Sequence, residues 1–265
     1  HVHTMQLYRM QDLGGCRVIV NSIDEVYKAI DKYKKSRVRH ILKKEYDYIQ
    51  SPKVSGYRSY HMVYKYHSDT KDTYNQNMLI EIQFRTKLQH IWATAVEMMG
   101  IYTKSNLKAS QGNKDILRFF TLVSSVFAIQ EDMPVCPNTS EWIDELIMEI
   151  ESLDKKHNIL STLSAINVSI DHTDKYTLSS KNLYYILILN YDKKTVSIRH
   201  FTASKIEAAT KAYNQIEQKT NNNVVLVSAS SFEALKLAYP NYFVDISDFI
   251  DKLRSYIDTC KKYKE

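Results

Sequence analysis

The chain is poor in the residues that bend and cross-link polypeptides. It holds 5 glycines, 4 prolines and 3 cysteines among 265 residues, which excludes collagen-like repeats and chains dominated by linkers. The cysteines Cys16, Cys136 and Cys260 are odd in number and lack the spacing of metal ligands, so a reducing, cytoplasmic compartment is expected. No apolar run approaches the ~20 residues that cross a bilayer. No secretory leader is visible either.

Tyrosine and positive charge are what the chain has in abundance. Several of its 20 tyrosines lie near lysines or arginines, and the formal net charge is +6 with a pI near 8.9. A basic balance of this kind favours polyanionic ligands such as nucleotides or RNA. The length and a hydrophobic content of 44% suffice for one large domain or two modest ones.

The hydrophobic patterns predict an α+β fold. Strand-like patterns occupy 16–21, 60–68 and 77–86. Helical spacing occupies 22–36, 87–102, 114–130 and 139–162. The basic segment 37–59 is predicted to be a loop.

A second strand and helix pattern begins at residue 183. Residues 183–191 and 195–201 flank DKK and predict a β-hairpin, followed by a helix, a strand and two helices. We therefore predict three parts of the chain. They are a first domain at 1–105, a helical region at 106–172 and a small α+β module at 173–265.

Residues that carry chemistry concentrate in three segments of the first part. QDLGGCRVIV places Asp12 before a Gly-Gly turn, PKVSGYRSYH is a basic loop, and EIQFRT puts Glu81 within an otherwise apolar strand. A carboxylate inside such a strand is costly unless a cation or a basic partner accompanies it. Asp12 and Glu81 could hold Mg²⁺ through their oxygen atoms, while basic side chains nearby would neutralise phosphate oxygens.

Each of these features also has a purely structural explanation. Asp12 could cap a turn, and Glu81 could form a structural salt bridge with Arg17 or Lys65. Tyr57 could be a surface ring, and His61 a strand histidine with its hydrogen bonds satisfied. The residues alone therefore leave two alternatives open, a nucleotide–Mg²⁺ site and a set of structural contacts.

Taken together, the three segments resemble the synthetase domain of the RelA/SpoT alarmone synthetases. The resemblance rests on the order and spacing of DLGGCR, PKVSGYRSYH and EIQFRTKLQHIWA, and it covers residues 8–102. It implies a nucleotidyltransferase-like mixed sheet flanked by helices. It also implies a pyrophosphokinase, which transfers the β,γ-pyrophosphate of ATP to the 3′-hydroxyl of GDP or GTP and yields (p)ppGpp and AMP.

The same resemblance implies roles for individual residues. Asp12 and Glu81 correspond to Mg²⁺ ligands and catalytic residues, with Glu81 also a candidate base for the 3′-hydroxyl. Arg9 and Arg17 correspond to the ATP side, where Arg17 would stack on adenine. Tyr57 would stack on the acceptor base. The residues on the acceptor side are Lys53, Gly56, Tyr57, His61, Gln83, Arg85 and His90.

Two features depart from the family pattern. Family members carry a basic helix ahead of the first motif, whereas only HVHTMQLYRM precedes it here. Either that helix lies upstream of His1 or ATP binding is impaired. His90 stands where many short synthetases carry an asparagine that reads guanine, so the acceptor stays open. No His-Asp hydrolase domain is visible, so alarmone hydrolysis is not expected.

Three functions follow as hypotheses. The first is the GDP/GTP pyrophosphokinase with ATP as donor and Mg²⁺ as cofactor. The second is a toxin-type relative that modifies the 3′ end of tRNA or makes adenosine alarmones, and the third is a degenerate nucleotide-binding regulator. No membrane partner is expected, a homo-oligomer is expected by analogy with short relatives, and the module at 173–265 is expected to bind a regulator.

Overall fold

The computed structural model describes residues 14–76, 78–103, 105–165, 169–171, 183–190, 195–219, 223–231, 234–235 and 246–262. The strands are β1 (Gly14–Val20), β2 (Ile41–Asp47), β3 (Tyr60–Lys65), β4 (Leu79–Thr86), β5 (Ser169–Asp171), β6 (Leu183–Asn190), β7 (Thr195–Thr202) and β8 (Asn223–Ala229). The α-helices are α1 (Ile23–Lys34), α2 (Lys87–Tyr102), α3 (Lys114–Gln130), α4 (Ile143–His157), α5 (Ile159–Ala165), α6 (Ile206–Lys219) and α7 (Ser247–Lys262). The predicted α+β class is confirmed.

The first sheet has one apolar face, which packs on α1. Its strand order is β1-β4-β3-β2, with β1 parallel to β4 and the other pairs antiparallel. Met62 of β3 lies opposite Ile82 of β4, and both are buried with Phe84 against Val26 and Ile30 of α1. Side chains alternate along a strand, so the residues between these point to the other face.

That other face is polar at its centre. Glu81, Gln83 and Arg85 share it because they are two and four residues apart on β4. The register places His61 of β3 opposite Gln83, while Arg17 of β1 lies opposite Gln83 on the other side. The predicted alternation is therefore confirmed over β3 and β4, whereas residues 66–68 are not part of the strand.

Strand β2 lies in the segment 37–59, which was predicted to be a loop, and that part of the prediction is wrong. Its sequence ILKKEYD is mostly exposed, and it forms the edge of the sheet beside β3. Edge strands commonly carry lysines, which oppose pairing with another chain. These charges hide the alternation that would otherwise reveal the strand.

The helices α2, α3, α4, α5 and α7 share one apolar core. Phe119 and Phe120 of α3 lie at its centre and pack edge to face, with Ile150 of α4 also fully buried. The predicted single helix at 139–162 is in fact α4 and α5. They are separated at Asn158, which adopts a left-handed conformation with φ of 51°, a common way to end a helix.

Helix α7 belongs to this helical core, although the sequence assigned it to the module at 173–265. Its Arg254 also donates a hydrogen bond to Ser164 of α5 over 3.3 Å. The buried residues that it and the residue before it contribute are Ile246, Phe249, Ile250, Leu253, Ile257 and Cys260. The predicted module therefore shares its last helix with the helical region; the other boundaries of the three parts stay predictions.

The second sheet has the strand order β5-β7-β6-β8. The predicted hairpin is confirmed, because β6 and β7 pair antiparallel from Leu183 opposite Thr202 to Asn190 opposite Thr195. Helix α6 packs on one face of this sheet, near the buried Ile186. In the part of the chain that the structure describes, none of the helices is long and apolar enough to span a membrane.

Candidate functional site

Five side chains on the polar face of the first sheet form a closed ring of hydrogen bonds, called here the polar ring. Arg85 Nη2 donates to Tyr57 Oη over 2.5 Å and to Gln83 Oε1 over 2.8 Å. Tyr57 Oη lies 2.8 Å from His61 Nε2, and His61 Nδ1 lies 2.7 Å from Glu81 Oε1. Gln83 Nε2 donates to Glu81 Oε2 over 2.6 Å and closes the ring. Both chains of hydrogen bonds that start at Arg85, one through Tyr57 and His61 and one through Gln83, therefore end on the Glu81 carboxylate.

A single arrangement of protons with a neutral imidazole satisfies the whole ring. The Tyr57 hydroxyl accepts from Arg85 and donates to His61 Nε2, so His61 Nδ1–H donates to Glu81. Burial alone would raise the pKa of Glu81. Hydrogen bonds from His61 and Gln83, together with the charge of Arg85, outweigh burial and lower that pKa below its ordinary value. Glu81 is therefore ionised at neutral pH and fits a base or a metal ligand.

Gly56 lets the loop before β3 approach the helices closely and so fixes Tyr57. Its φ is +87°, and a Cβ there would lie 2.9 Å from Trp92 Cζ2 and 3.1 Å from Thr121 Cα. Ser124 Oγ donates to the Gly56 carbonyl over 2.6 Å. The glycine thus serves packing between loop and helix, while its predicted contact with the acceptor stays a prediction.

Arg58, which the sequence analysis left without a role, anchors the same loop from the other side of Tyr57. It is only 3% exposed. It donates to Ser124 Oγ over 3.0 Å, to the Ile49 carbonyl over 3.2 Å and to Cys136 Sγ over 3.4 Å. A basic side chain in a loop gives no sequence signal that separates such an anchor from a phosphate ligand. The hydrogen bonds of Arg58 therefore stabilise the loop.

A cavity of about 280 Å³ lies beside the polar ring. Its basic lining residues are Arg17, Lys53, Arg85 and Lys108, and none of the described lining residues is acidic. The volume is close to the lower end of small-molecule sites, roughly 300 Å³. We call it the cationic cavity, because its charge suits an anionic ligand. The predicted Tyr57, His61 and Gln83 also line it.

Lys53 connects the cationic cavity to a row of tyrosine rings. Its Nζ lies 4.3 Å from the ring centre of Tyr48 and 5.3 Å from that of Tyr57. The Tyr48 ring stacks on that of Tyr46, with centres 5.6 Å apart and planes 3° from parallel. Aromatic faces of this kind can stack on bases. Tyr46, on β2, and Tyr48, in the turn after it, were not predicted, because the whole segment 37–59 was taken for a loop.

Arg17 and His90 flank Arg85. Burial, followed by the charge of Arg85, lowers the pKa of Arg17. Burial and the two arginines also lower the pKa of His90, to about 4, so His90 is neutral at pH 7. Among the described residues, Arg17 lines the cationic cavity and His90 does not. The roles of Arg17 on ATP and of His90 on the acceptor base stay predictions.

We predict that acid destabilises the protein through His90. Its pKa is about 4 in the folded chain, against an ordinary value of 6.5. Between these values the unfolded chain binds a proton at His90 and the folded chain does not, so stability falls as pH drops through that window. Thermal midpoints at pH 7 and pH 5 test this. The wild type should lose more stability than His90→Gln, and equal losses would contradict the prediction.

Two predicted residues, Asp12 and Arg9, lie outside the described residues. Within the described ranges, no group of three His, Cys, Asp or Glu side chains could hold a metal ion. Magnesium, however, is usually held by one or two carboxylates together with substrate phosphates. The ionised Glu81 suits that role, because each carboxylate oxygen keeps a second lone pair beside its hydrogen bond. The Mg²⁺ site at Asp12 and Glu81 stays a prediction.

Comparison with known proteins identifies a family that part of the chain resembles. Residues 2–107 match the family described as the region found in RelA / SpoT proteins. We call this matched stretch the RelA/SpoT-like region. The match includes the polar ring and the loop before β3, and it leaves the helices from α3 onward and the second sheet outside.

Two curated relatives match the RelA/SpoT-like region. GTP pyrophosphokinase YjbM of Bacillus subtilis (strain 168) is 30% identical over 102 residues, 38% of this chain and 47% of the relative. GTP pyrophosphokinase YwaC of the same organism is 32% identical over 97 residues, 37% of this chain and 44% of the relative. The chain thus spans about half the length of the curated relatives that it matches.

Two solved structures are also similar to part of the chain. A GTP pyrophosphokinase family protein from Streptococcus pneumoniae is 30% identical, with a TM-score of 0.40 over 48% of this chain and 63% of that one. The small alarmone synthetase 1 of Bacillus subtilis bound to its product pppGpp is 25% identical, with a TM-score of 0.41 over 48% and 62%. Each of these two structures aligns with under half of this chain.

Proposed function

We propose that the RelA/SpoT-like region transfers the β,γ-pyrophosphate of ATP to the 3′-hydroxyl of GDP or GTP, with Mg²⁺ as cofactor. The observation that carries this proposal is the polar ring, which holds the ionised Glu81 beside the cationic cavity. The similarity to proteins named GTP pyrophosphokinase supports it.

In this proposal, each residue of the site has a separate role in the transfer reaction. Glu81 takes the proton of the 3′-hydroxyl, and the oxygen then attacks the β-phosphorus as the bond to the α-phosphate breaks and AMP leaves. His61 and Gln83 orient the carboxylate through the two hydrogen bonds that they donate. Arg85 and Lys53 neutralise phosphate oxygens. Reactions of this class depend on positioning and charge stabilisation more than on covalent catalysis.

The proposal also includes a bound Mg²⁺ ion. Asp12 and Glu81 would hold it, and when bound it would neutralise the phosphate oxygens of ATP. Glu81 would then serve both as a ligand and as a base, which its low pKa allows because the carboxylate is already deprotonated.

The test is a transfer assay with ATP labelled in its terminal phosphate. We expect label on GDP or GTP when each is offered with Mg²⁺, resolved by thin-layer chromatography, and no transfer to ADP above a background without acceptor. Label on tRNA alone would overturn the guanine-nucleotide proposal. Failure to bind ATP or to form any product would favour the degenerate nucleotide-binding regulator.

A polynucleotide acceptor such as the 3′ end of tRNA is the second candidate. It is favoured by the stacked rings of Tyr46 and Tyr48, which lead from Tyr57 along the lysine-rich strand β2. A row of aromatic faces beside positive charge is a common way to hold single-stranded nucleic acid. The tRNA arm of the same assay separates the two candidates.

A further inference from the structure

The helical wall of the cationic cavity is apolar apart from one side chain. Trp92, Val96 and Leu117 are among the residues that α2 and α3 contribute to it. The single polar atom of Trp92 is already used, because Nε1 donates to the Phe120 carbonyl over 2.7 Å. Lys108, from the turn between the two helices, therefore supplies the one available polar group among the described residues of this wall.

The turn that carries Lys108 is tightly fixed. Leu107, the residue before it, is 2% exposed, and a Cβ on Gly112 would lie 2.7 Å from Leu107 Cδ2. The side chain of Asn106 caps the turn by accepting from the Ala109 amide over 3.2 Å. The backbone under Lys108 is thus held on both sides.

Glu97 of α2 holds the ammonium group of Lys108. Lys108 Nζ lies 2.6 Å from Glu97 Oε2. An ammonium has three N–H donors and no acceptor, so one ion pair leaves donors for a ligand in the cavity. Glu97 is therefore a positioning residue for Lys108.

The two walls of the cavity suit different parts of a nucleotide. The sheet wall carries Arg85, which Gln83 links to Glu81 within the polar ring, and this fits phosphates and the reacting sugar hydroxyl. The helical wall is apolar and faces the same space as the Tyr57 ring, which fits the flat base. A base placed there would present its edge to Lys108.

We propose that Lys108 selects an acceptor base with a 6-oxo group, that is guanine or hypoxanthine rather than adenine. This proposal rests on the proposed function and names the base for that site. Guanine presents two acceptors side by side, O6 and N7, whereas adenine places an amino donor at position 6. An ammonium that can only donate binds the first edge and is repelled by the amino group of the second.

Equilibrium binding of GDP, IDP and ADP tests the proposal. The wild type should prefer both GDP and IDP to ADP, because IDP carries the 6-oxo group without the 2-amino group. Lys108→Met should weaken GDP and IDP about tenfold, the low end of a hydrogen-bonded base contact, and leave ADP nearly unchanged. Lys108→Arg should keep the preference. Lys114→Met is the matched control, since Lys114 is an exposed lysine at the start of α3.

Each other outcome contradicts the proposal in a distinct way. Equal weakening of GDP and ADP by Lys108→Met would assign Lys108 to phosphate. A wild type that binds ADP as tightly as GDP has no base selection. If Lys108→Met shows no thermal transition and is therefore not folded, Lys108→Gln is the second variant. It should reduce the preference for GDP and IDP over ADP. A wild type that binds none of the three diphosphates would contradict the proposed function itself. Binding of all three without a base preference would contradict only the role of Lys108.

Discussion

Glu81→Gln is expected to lower the rate of pyrophosphate transfer by about 100-fold or more. The amide keeps the size of the side chain, but under the proposed function it could neither take the proton of the 3′-hydroxyl nor supply a charge to hold Mg²⁺. The two hydrogen bonds that reach Glu81 from His61 and Gln83 would also lose their charged acceptor. Initial rates with labelled ATP and saturating GDP measure the effect.

The matched control for this variant is Glu45→Gln. Glu45 lies on β2 and accepts a hydrogen bond from Tyr60 Oη over 2.6 Å, with Lys34 Nζ at 2.5 Å. Since its register partner Met62 points to the apolar face, Glu45 is on the opposite side of the sheet from the polar ring. The control should retain its rate. Glu81→Gln with wild-type rates would remove Glu81 from the chemistry.

Gly56→Ala is expected to destabilise the protein by about 2–4 kcal/mol, from overpacking and a left-handed backbone together. The added methyl group would lie 2.9 Å from Trp92 Cζ2 and 3.1 Å from Ser124 Cβ. For a chain of this size the thermal midpoint should fall by roughly 10 °C, as measured by circular dichroism. Transfer should fall as well, because the loop that carries Tyr57 would shift.

Gly14→Ala is the control for that change. A Cβ on Gly14 would meet Ile80 Cγ2 at 3.5 Å, an ordinary contact, and the backbone there needs no positive φ. Its thermal midpoint should stay within a few degrees of the wild type. If Gly56→Ala has the same thermal midpoint as Gly14→Ala, the loop can move away from α3 and the packing argument for Gly56 is wrong.

Much of the first sheet and of the candidate site was predictable, because local periodicity carries that information. Alternation in 77–86 places Glu81 with Gln83 and Arg85, and helical spacing locates α2 and α3 correctly. The three motifs also point to Tyr57 and His61, which the polar ring joins. Local sequence was sufficient wherever a strand has one apolar and one polar face.

The features that sequence could not supply depend on contacts between distant segments. Arg58 sits in a basic loop, but its partners Ser124 and Cys136 are 66 and 78 residues away. Lys108 lies in a polar turn that resembles a simple connection until the fold brings it to the cavity. Asp12 and Arg9 lie outside the described residues, so their assignments stay predictions.

The position of α7 changes how the C-terminal part of the chain should be regarded. The chain leaves the helical core after α5, forms the second sheet with α6, and returns to the same core through α7, where Arg254 reaches Ser164. Along the sequence, the second sheet therefore lies between two helices of that core. A truncation before residue 246 would remove part of the core.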